Sequence, residues 1–249
     1  MERLAGNAAT VDKEISDRDF LRFEKHLLLE EVGFDGQRLL KNAKILVIGA
    51  GGLGCPVTQY LASNGVGTLG IVDFDRIALS NLHRQILYTE KEVGQPKVQV
   101  AKEKLQAHYS ELELHIHEVK LTKENAASLI KDYDLVIDGC DNFATRYLVN
   151  DTCVELNKPL VYGSILKFEG QLAVFNHRGG KNLRDIFPEP PNPEDVPNCS
   201  ENGVLGTLPG IIGLMMAQEA LKLVLNLTVL HDEWVIFDTL KLEMRKFKF

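Results

Sequence analysis

The chain has 249 residues, 45% of them apolar and 25% charged, with a formal charge of -7 and a pI near 5.6. That balance suits one large α/β domain of ordinary globular composition, and the acidic charge argues against a general nucleic-acid binder. The four cysteines, at 55, 140, 153 and 199, form no C-x-x-C pair, which argues against a disulfide framework or a zinc site.

In chain order, residues 1–15 read as a loose, flexible terminus, polar and charged and without the apolar segment of a signal peptide. Ser16-Asp17-Arg18-Asp19 can cap a helix running from Phe20 to Leu29. Gly33 to Gly36 is expected to break it, and Gln37 to Asn42 to form a brief helical lead. Ile45 to Ile48 is a continuous apolar run, as in a strand covered on both faces. Gly49, Gly51 and Gly54 follow as G-x-G-x-x-G, with Gly52 beside them. Gly49 allows the tight turn, Gly51 and Gly52 leave room for a phosphate, and Gly54 lets the next helix pack on the sheet. That helix, ending near Asn64-Gly65, aims its N-terminal N–H groups at the loop and so makes an anion site. A second strand ends at Asp73, where an acid can accept a ribose hydroxyl.

Asp75 to Gln85 is polar and follows a strand end, on the crevice side of a doubly wound sheet. Pro96 opens a helix to about Tyr109 with Lys97 at its start. Leu112 to Val119 alternates like a strand, Thr122 to Ile130 reads as a short helix, and Leu135 to Asp138 as a buried strand with Asp141-Asn142 leaving its end. Thr145 to Leu156 is helical, and Pro159 to Gly163 and Gly170 to Phe175 are strands. Residues 177–203, with five prolines, read as a long mobile loop carrying Cys199. Leu205 to Leu225 is broken by Gln218, Glu219 and Lys222, and reads as a buried helix rather than a membrane span. Strands at Trp234 to Asp238 and Leu242 to Phe249 close the chain. The fold expected is a mostly parallel Rossmann-like sheet extended by antiparallel strands, in a single domain over 1–249 in the cytoplasm.

The glycines alone suggest NAD(H). Hydride transfer, however, needs no cluster of cations facing an acid, and a triphosphate does. Arg84 can fork onto phosphate oxygens, Lys97 can act as a point charge, and Asp141 can hold Mg²⁺ among phosphate and water oxygens. These residues therefore favour ATP.

Gly49 to Gly54, Asp73-Phe74-Asp75, Ser80 to Gln85, Gly94 to Lys97, Asp141-Asn142 and Cys199 to Val204 occur in one order. With them the chain resembles the MoeB/ThiF/HesA group of E1-like adenylyltransferases, from about Phe20 to the end. The resemblance implies ATP-Mg²⁺ and the C-terminal Gly-Gly tail of a ubiquitin-like sulfur carrier as substrates. The tail carboxylate attacks the α-phosphorus, giving an acyl-adenylate and pyrophosphate. It places Gly52 against the nucleotide, Asp73 on the ribose, Ser80, Asn81 and Arg84 on the phosphate side, Lys97 on the phosphates and Asp141 on Mg²⁺. It also implies a homodimer in which a basic residue crosses to the partner's site. Here that residue is Lys25, an arginine in the family signature, so the charge stays and the fork is lost. Asn182 to Asp185 stands where the group has the first of two zinc-binding C-x-x-C pairs, so a zinc-free chain is expected. Cys199 can accept the activated carrier as a thioester or take part in sulfur transfer with a sulfurtransferase partner. His83 stands where the family motif has glutamine, and no catalytic role is expected for it. Three other readings compete: adenylation of a modified tRNA base as in threonylcarbamoyladenosine dehydratases, an ATP-binding scaffold without turnover, and an NAD(P) oxidoreductase.

Overall fold

In the computed structural model, which describes residues 13–191 and 203–249, eight strands form one sheet in the order β3-β2-β1-β4-β5-β6-β7-β8. The strands are β1 (Lys44–Ile48), β2 (Thr68–Val72), β3 (Glu113–His117), β4 (Leu135–Asp138), β5 (Leu160–Leu166), β6 (Glu169–Phe175), β7 (Glu233–Asp238) and β8 (Glu243–Lys248). The first five run parallel, and β5 to β8 pair antiparallel. The order reverses between β1 and β4, the place where an open α/β sheet leaves a crevice at its carboxyl ends.

The helices are α1 (Asp17–Leu27), α2 (Gly33–Asn42), α3 (Gly54–Ser63), α4 (Lys97–His108), α5 (Ala126–Ile130), α6 (Phe143–Glu155), α7 (Leu183–Ile186) and α8 (Thr207–Val224). They cover both faces of the sheet. On β1, Ile45 and Val47 join Leu61 of α3, Val98 of α4 and Ile212 of α8 in one core. Leu46 and Ile48 face the other way and join Ile130 of α5 and Tyr147 and Val149 of α6. The unbroken apolar run of β1 follows directly, because neither face meets water. α8 is long and apolar by composition, and its Leu208, Ile212, Met216, Ala220 and Leu223 are buried.

Several expectations hold with small shifts. Ser16 caps α1 in a reciprocal box with Asp19. Pro96 is the residue before α4, so Lys97 opens the helix. Three are corrected. Gly33 to Gly36 does not break a helix but begins α2, and a Cβ on Gly36 would come within 2.9 Å of Leu225, so this glycine is there for packing. Residues 122–125 are a turn before α5, the Asn125 side chain taking the Thr122 N–H. Residues 177–203 are not irregular throughout. Asn182 and Asp185 cap each other to make α7, and Arg184 grips Asp151 of α6 through Nε and Nη2 at 2.7 and 2.9 Å. This ion pair gives α7 a fixed seat, and the Arg184 guanidinium, which leads the effects on Asp151, holds that carboxyl below its usual range.

Candidate functional site

The carboxyl ends of β1, β2 and β4 open onto one cleft of about 350 Å³. Its floor is the glycine loop. Gly49 sits at φ 96, where a Cβ would meet the Gly139 carbonyl at 2.8 Å, and a Cβ on Gly54 would fall 1.9 Å from the Gly49 carbonyl. The two glycines let the turn after β1 lie against both the β4 turn and the start of α3. Gly51 faces open space apart from the Gln85 amide, so its backbone is bare to the cleft. Gly52 also lines the cleft but backs onto Pro209 of α8 at 3.1 Å.

Asp73 follows β2 and is 8% exposed. It accepts the Ala50 N–H at 2.7 Å and the Asp75 N–H at 2.8 Å, and so ties the acid to the glycine loop. Burial raises its pKa, against the pull of Lys97 and the two amides. Lys97 is 3% exposed and reaches Asp75 at 2.8 Å, and its own N–H donates to the Asp75 carbonyl. Arg84 lies across the cleft. Its Nη1 donates to the Ser80 carbonyl at 3.2 Å and to His83 Nε2 at 2.8 Å. Among the described residues no carboxylate comes within ion-pair distance of Arg84. Asp141 is exposed on the cleft wall, and Asn142 caps α6 by accepting the Thr145 N–H at 2.9 Å.

Gly49, Gly51, Gly52, Asp73, Asp75, Asn81, Arg84, Lys97, Asp141 and Asn142 thus meet around one space. Ser80 does not line it and instead holds Arg84 through its carbonyl. Gly54 serves packing. Lys25 is exposed on α1 beside Glu24 and does not line the cleft. Cys199 lies outside the described residues. The three described cysteines are free thiols. Burial pushes Cys55 up to about 12 and Cys140 and Cys153 well above the ordinary range, so none is a thiolate near neutral pH.

Sequence reasoning missed the support beneath Asp141. Arg146 of α6 is buried, with Asp138 at 3.2 Å, the Gly163 carbonyl at 2.7 Å, the Cys140 carbonyl at 2.6 Å and the Tyr162 ring at 4.8 Å. It clamps the β4 turn to β5. The available signal was its place four residues after the α6 cap, on the turn facing the loop. Tyr88 was also missed; its hydroxyl donates to the Ala50 carbonyl at 2.9 Å and pins the glycine loop from below.

Ile48, Val72, Phe74, Val119 and Leu121 give the cleft apolar lining, and Arg84, Lys97 and Lys120 give it cations. A glycine loop at a helix start, an acid after the second strand and cations in the same cleft define a nucleotide-binding α/β protein. The chain belongs to the ThiF family, whose profile matches residues 23–249. It is 48% identical over 231 residues to a sulfur carrier protein adenylyltransferase of Thermus thermophilus, covering 90% of this chain and 85% of that protein. It is 47% identical over 236 residues to the adenylyltransferase and sulfurtransferase MOCS3 of Culex quinquefasciatus, covering 94% of this chain and 54% of that one. The chain therefore spans about half the length of that MOCS3 relative. Among solved structures it overlays on Escherichia coli MccB crystallised with MccA-N7isoASN, with a TM-score of 0.81, 19% identity, and coverage of 94% and 73% of the two chains. It also overlays on PaaA with a TM-score of 0.80, 18% identity, and coverage of 98% and 77%. At those identities the overlays speak for the fold.

Proposed function

We propose that the chain adenylylates the C-terminal glycine of a ubiquitin-like sulfur carrier protein, with ATP as co-substrate and pyrophosphate as product. The observation that carries this reading is a glycine loop facing Arg84, Lys97 and Asp141 across one cleft. The relative of Thermus thermophilus supports the choice of acyl substrate.

The adenine lies on the apolar wall near Phe74, and Asp73 accepts a ribose hydroxyl. Both Asp73 oxygens already take a backbone N–H, and each keeps a lone pair for the sugar. The triphosphate runs over Gly51 towards Arg84 and Lys97. The carrier carboxylate then attacks the α-phosphorus. An oxygen–phosphorus bond forms, the bond from the α-phosphorus to the bridging oxygen breaks, and pyrophosphate departs with that oxygen and its electron pair. The chemistry is mainly positioning and charge stabilisation. Arg84 answers growing charge on the leaving pyrophosphate. Lys97, held at its helix start by Asp75, offers a fixed ammonium that needs no reorganisation.

The residues fit a magnesium ion held mostly by substrate. Asp141 is exposed on the cleft wall, its carboxylate takes no hydrogen bond or ion pair among the described residues, and no group of three ligating side chains is found among them. One carboxylate plus phosphate and water oxygens is the donor set that suits Mg²⁺. When bound, the ion neutralises phosphate charge. Asn182 and Asp185 are spent on capping α7, which fits a chain that holds no zinc.

We place the protein in the cytoplasm as a homodimer. Phe20, Leu21, Leu28, Leu29 and Phe34 are exposed around α1 and α2 and suit burial against a second copy, with Lys25 on the same helix. Cys199 is the candidate acceptor for later sulfur chemistry with a sulfurtransferase partner. The test is ATP–pyrophosphate exchange with carriers that carry or lack the terminal glycine. Exchange that needs the intact tail and disappears in Asp141→Ala supports the proposal. ATP binding without exchange for any carrier overturns it in favour of a tRNA substrate or a scaffold.

A further inference from the structure

Gln85 carries an arrangement that its burial alone does not explain. It follows the Asn81 turn, is 3% exposed, and its amide sits beneath the glycine loop, 3.6 Å from where a Gly51 Cβ would be. Its Nε2 donates to Asn81 Oδ1 at 2.8 Å. Its Oε1 is shut away from solvent with no hydrogen-bond partner among the described residues. A buried carbonyl left unpaired costs stability, and an apolar side chain of the same shape would avoid that cost. What an apolar side chain cannot supply is the Nε2 donor.

That donor decides which edge of Asn81 the cleft meets. With Oδ1 tied back to Gln85, the Asn81 Nδ2 lies on the other side, where it donates one N–H to Ser80 Oγ at 3.3 Å and keeps the second. An asparagine free to turn would present an acceptor or a donor with similar ease. A locked one presents only its remaining N–H, in the same turn as Arg84, which lines the same cleft. We propose that Gln85 is a positioning residue that locks the Asn81 amide with its donor edge towards the phosphates, and so selects for a polyphosphate over a neutral nucleoside. The inference rests on the nucleotide reading above; Gln85 also lines the cleft, and the proposal assigns its effect to the Asn81 amide rather than to direct contact with the ligand.

The test is calorimetric binding of ATP-Mg²⁺ and of adenosine to the wild type, Gln85→Met, Asn81→Ala and the double variant. Methionine keeps the shape and removes the donor. The lock predicts that Gln85→Met melts no lower than the wild type yet binds ATP about fivefold more weakly, a loss absent in the Asn81→Ala background. Adenosine affinity stays unchanged. The proposal is overturned if Gln85→Met binds ATP as the wild type does. It is equally overturned if the loss persists in Asn81→Ala or if adenosine weakens in parallel. Failure of the wild type to bind ATP at all removes the nucleotide reading first, and the lock with it.

Discussion

The two halves of the sheet handle difficult backbone differently. From residue 13 to the end of α6, every described residue in the left-handed region is a glycine: Gly33, Gly49, Gly65 and Gly94. Beyond α6 the same conformation falls on Asn157, Lys167, Asn176, Arg178, Asn226, Asp232 and Leu242, with Gly179 and Gly203. The parallel half carries the cleft, and two of its left-handed turns are crowded: a Cβ on Gly49 would meet the Gly139 carbonyl, and one on Gly65 the Gln37 and Phe23 side chains, whereas Gly33 and Gly94 face open space. In the antiparallel half most of these positions sit at helix or strand ends where a side chain is tolerated at some cost in strain. Position matters most in the half that holds the ligand, and the other half keeps spare stability that substitution could recover.

The largest effect that would test this division is in the parallel half. Arg146→Met leaves Asp138 buried without its ion pair, and removing one partner of such a pair costs about 3–5 kcal/mol. Urea denaturation should show that loss, and nucleotide binding should fall with it because the Asp141 turn loses its clamp. Lys97→Met removes a fixed cation from the cleft and should lower ATP–pyrophosphate exchange on the order of 10²-fold. Its melting temperature should change far less than that of Arg146→Met. In the antiparallel half, Leu172→Ala opens a void between β6 and α8 and should cost about 3 kcal/mol. ATP affinity should hold wherever the variant is folded, and a parallel loss of affinity would show that the two halves are not separable.

Asp19 gives a smaller, pH-dependent effect. Burial raises its pKa, but Lys41 and the Ser16 amide and hydroxyl outweigh burial and leave it lowered. Its contribution is therefore present above the usual carboxylate value near 3.8 and is lost as pH falls through the lower folded value. Asp19→Asn should flatten that part of the acid limb in a stability–pH series. Asp73 is raised instead, so its charge in the cleft costs stability above 3.8 and the cost disappears in acid. The smallest effect is Leu242→Gly, which should relieve the left-handed turn before β8 and stabilise the fold by about 0.5 kcal/mol net of glycine's entropy.

Much of this was legible in the amino-acid order. β1, the glycine loop, α3 and Asp73 could be read because a strand buried on both faces and a fixed glycine spacing are local signals. Asn81, Arg84, Lys97 and Asp141 could be placed because each follows a strand end or opens a helix, and the crevice rule does the rest. Arg146, Tyr88 and the Gln85 amide were harder. Tyr88 meets the Ala50 carbonyl, and Arg146 the Gly163 carbonyl, only once the chain is folded, while the local contacts of Arg146 with Asp138 and of Gln85 with Asn81 give spacing but not burial. The short helix α7 was hidden in a proline-rich stretch, although Asn182 and Asp185 have the spacing of a capping box.

The pairing of β5 also has a consequence for how quickly the chain assembles. It lies parallel to β4 on one side and forms a hairpin with β6 on the other, joined through Lys167 and Phe168. The hairpin closes a loop of two residues, whereas β1 can meet β4 only after α3, β2, α4, β3 and α5 have been bridged. Pairing across short separations forms in microseconds, and pairing across long ones is slow. β5 and β6 should therefore form an early ribbon, and the nucleotide cleft should be among the last parts to appear during refolding.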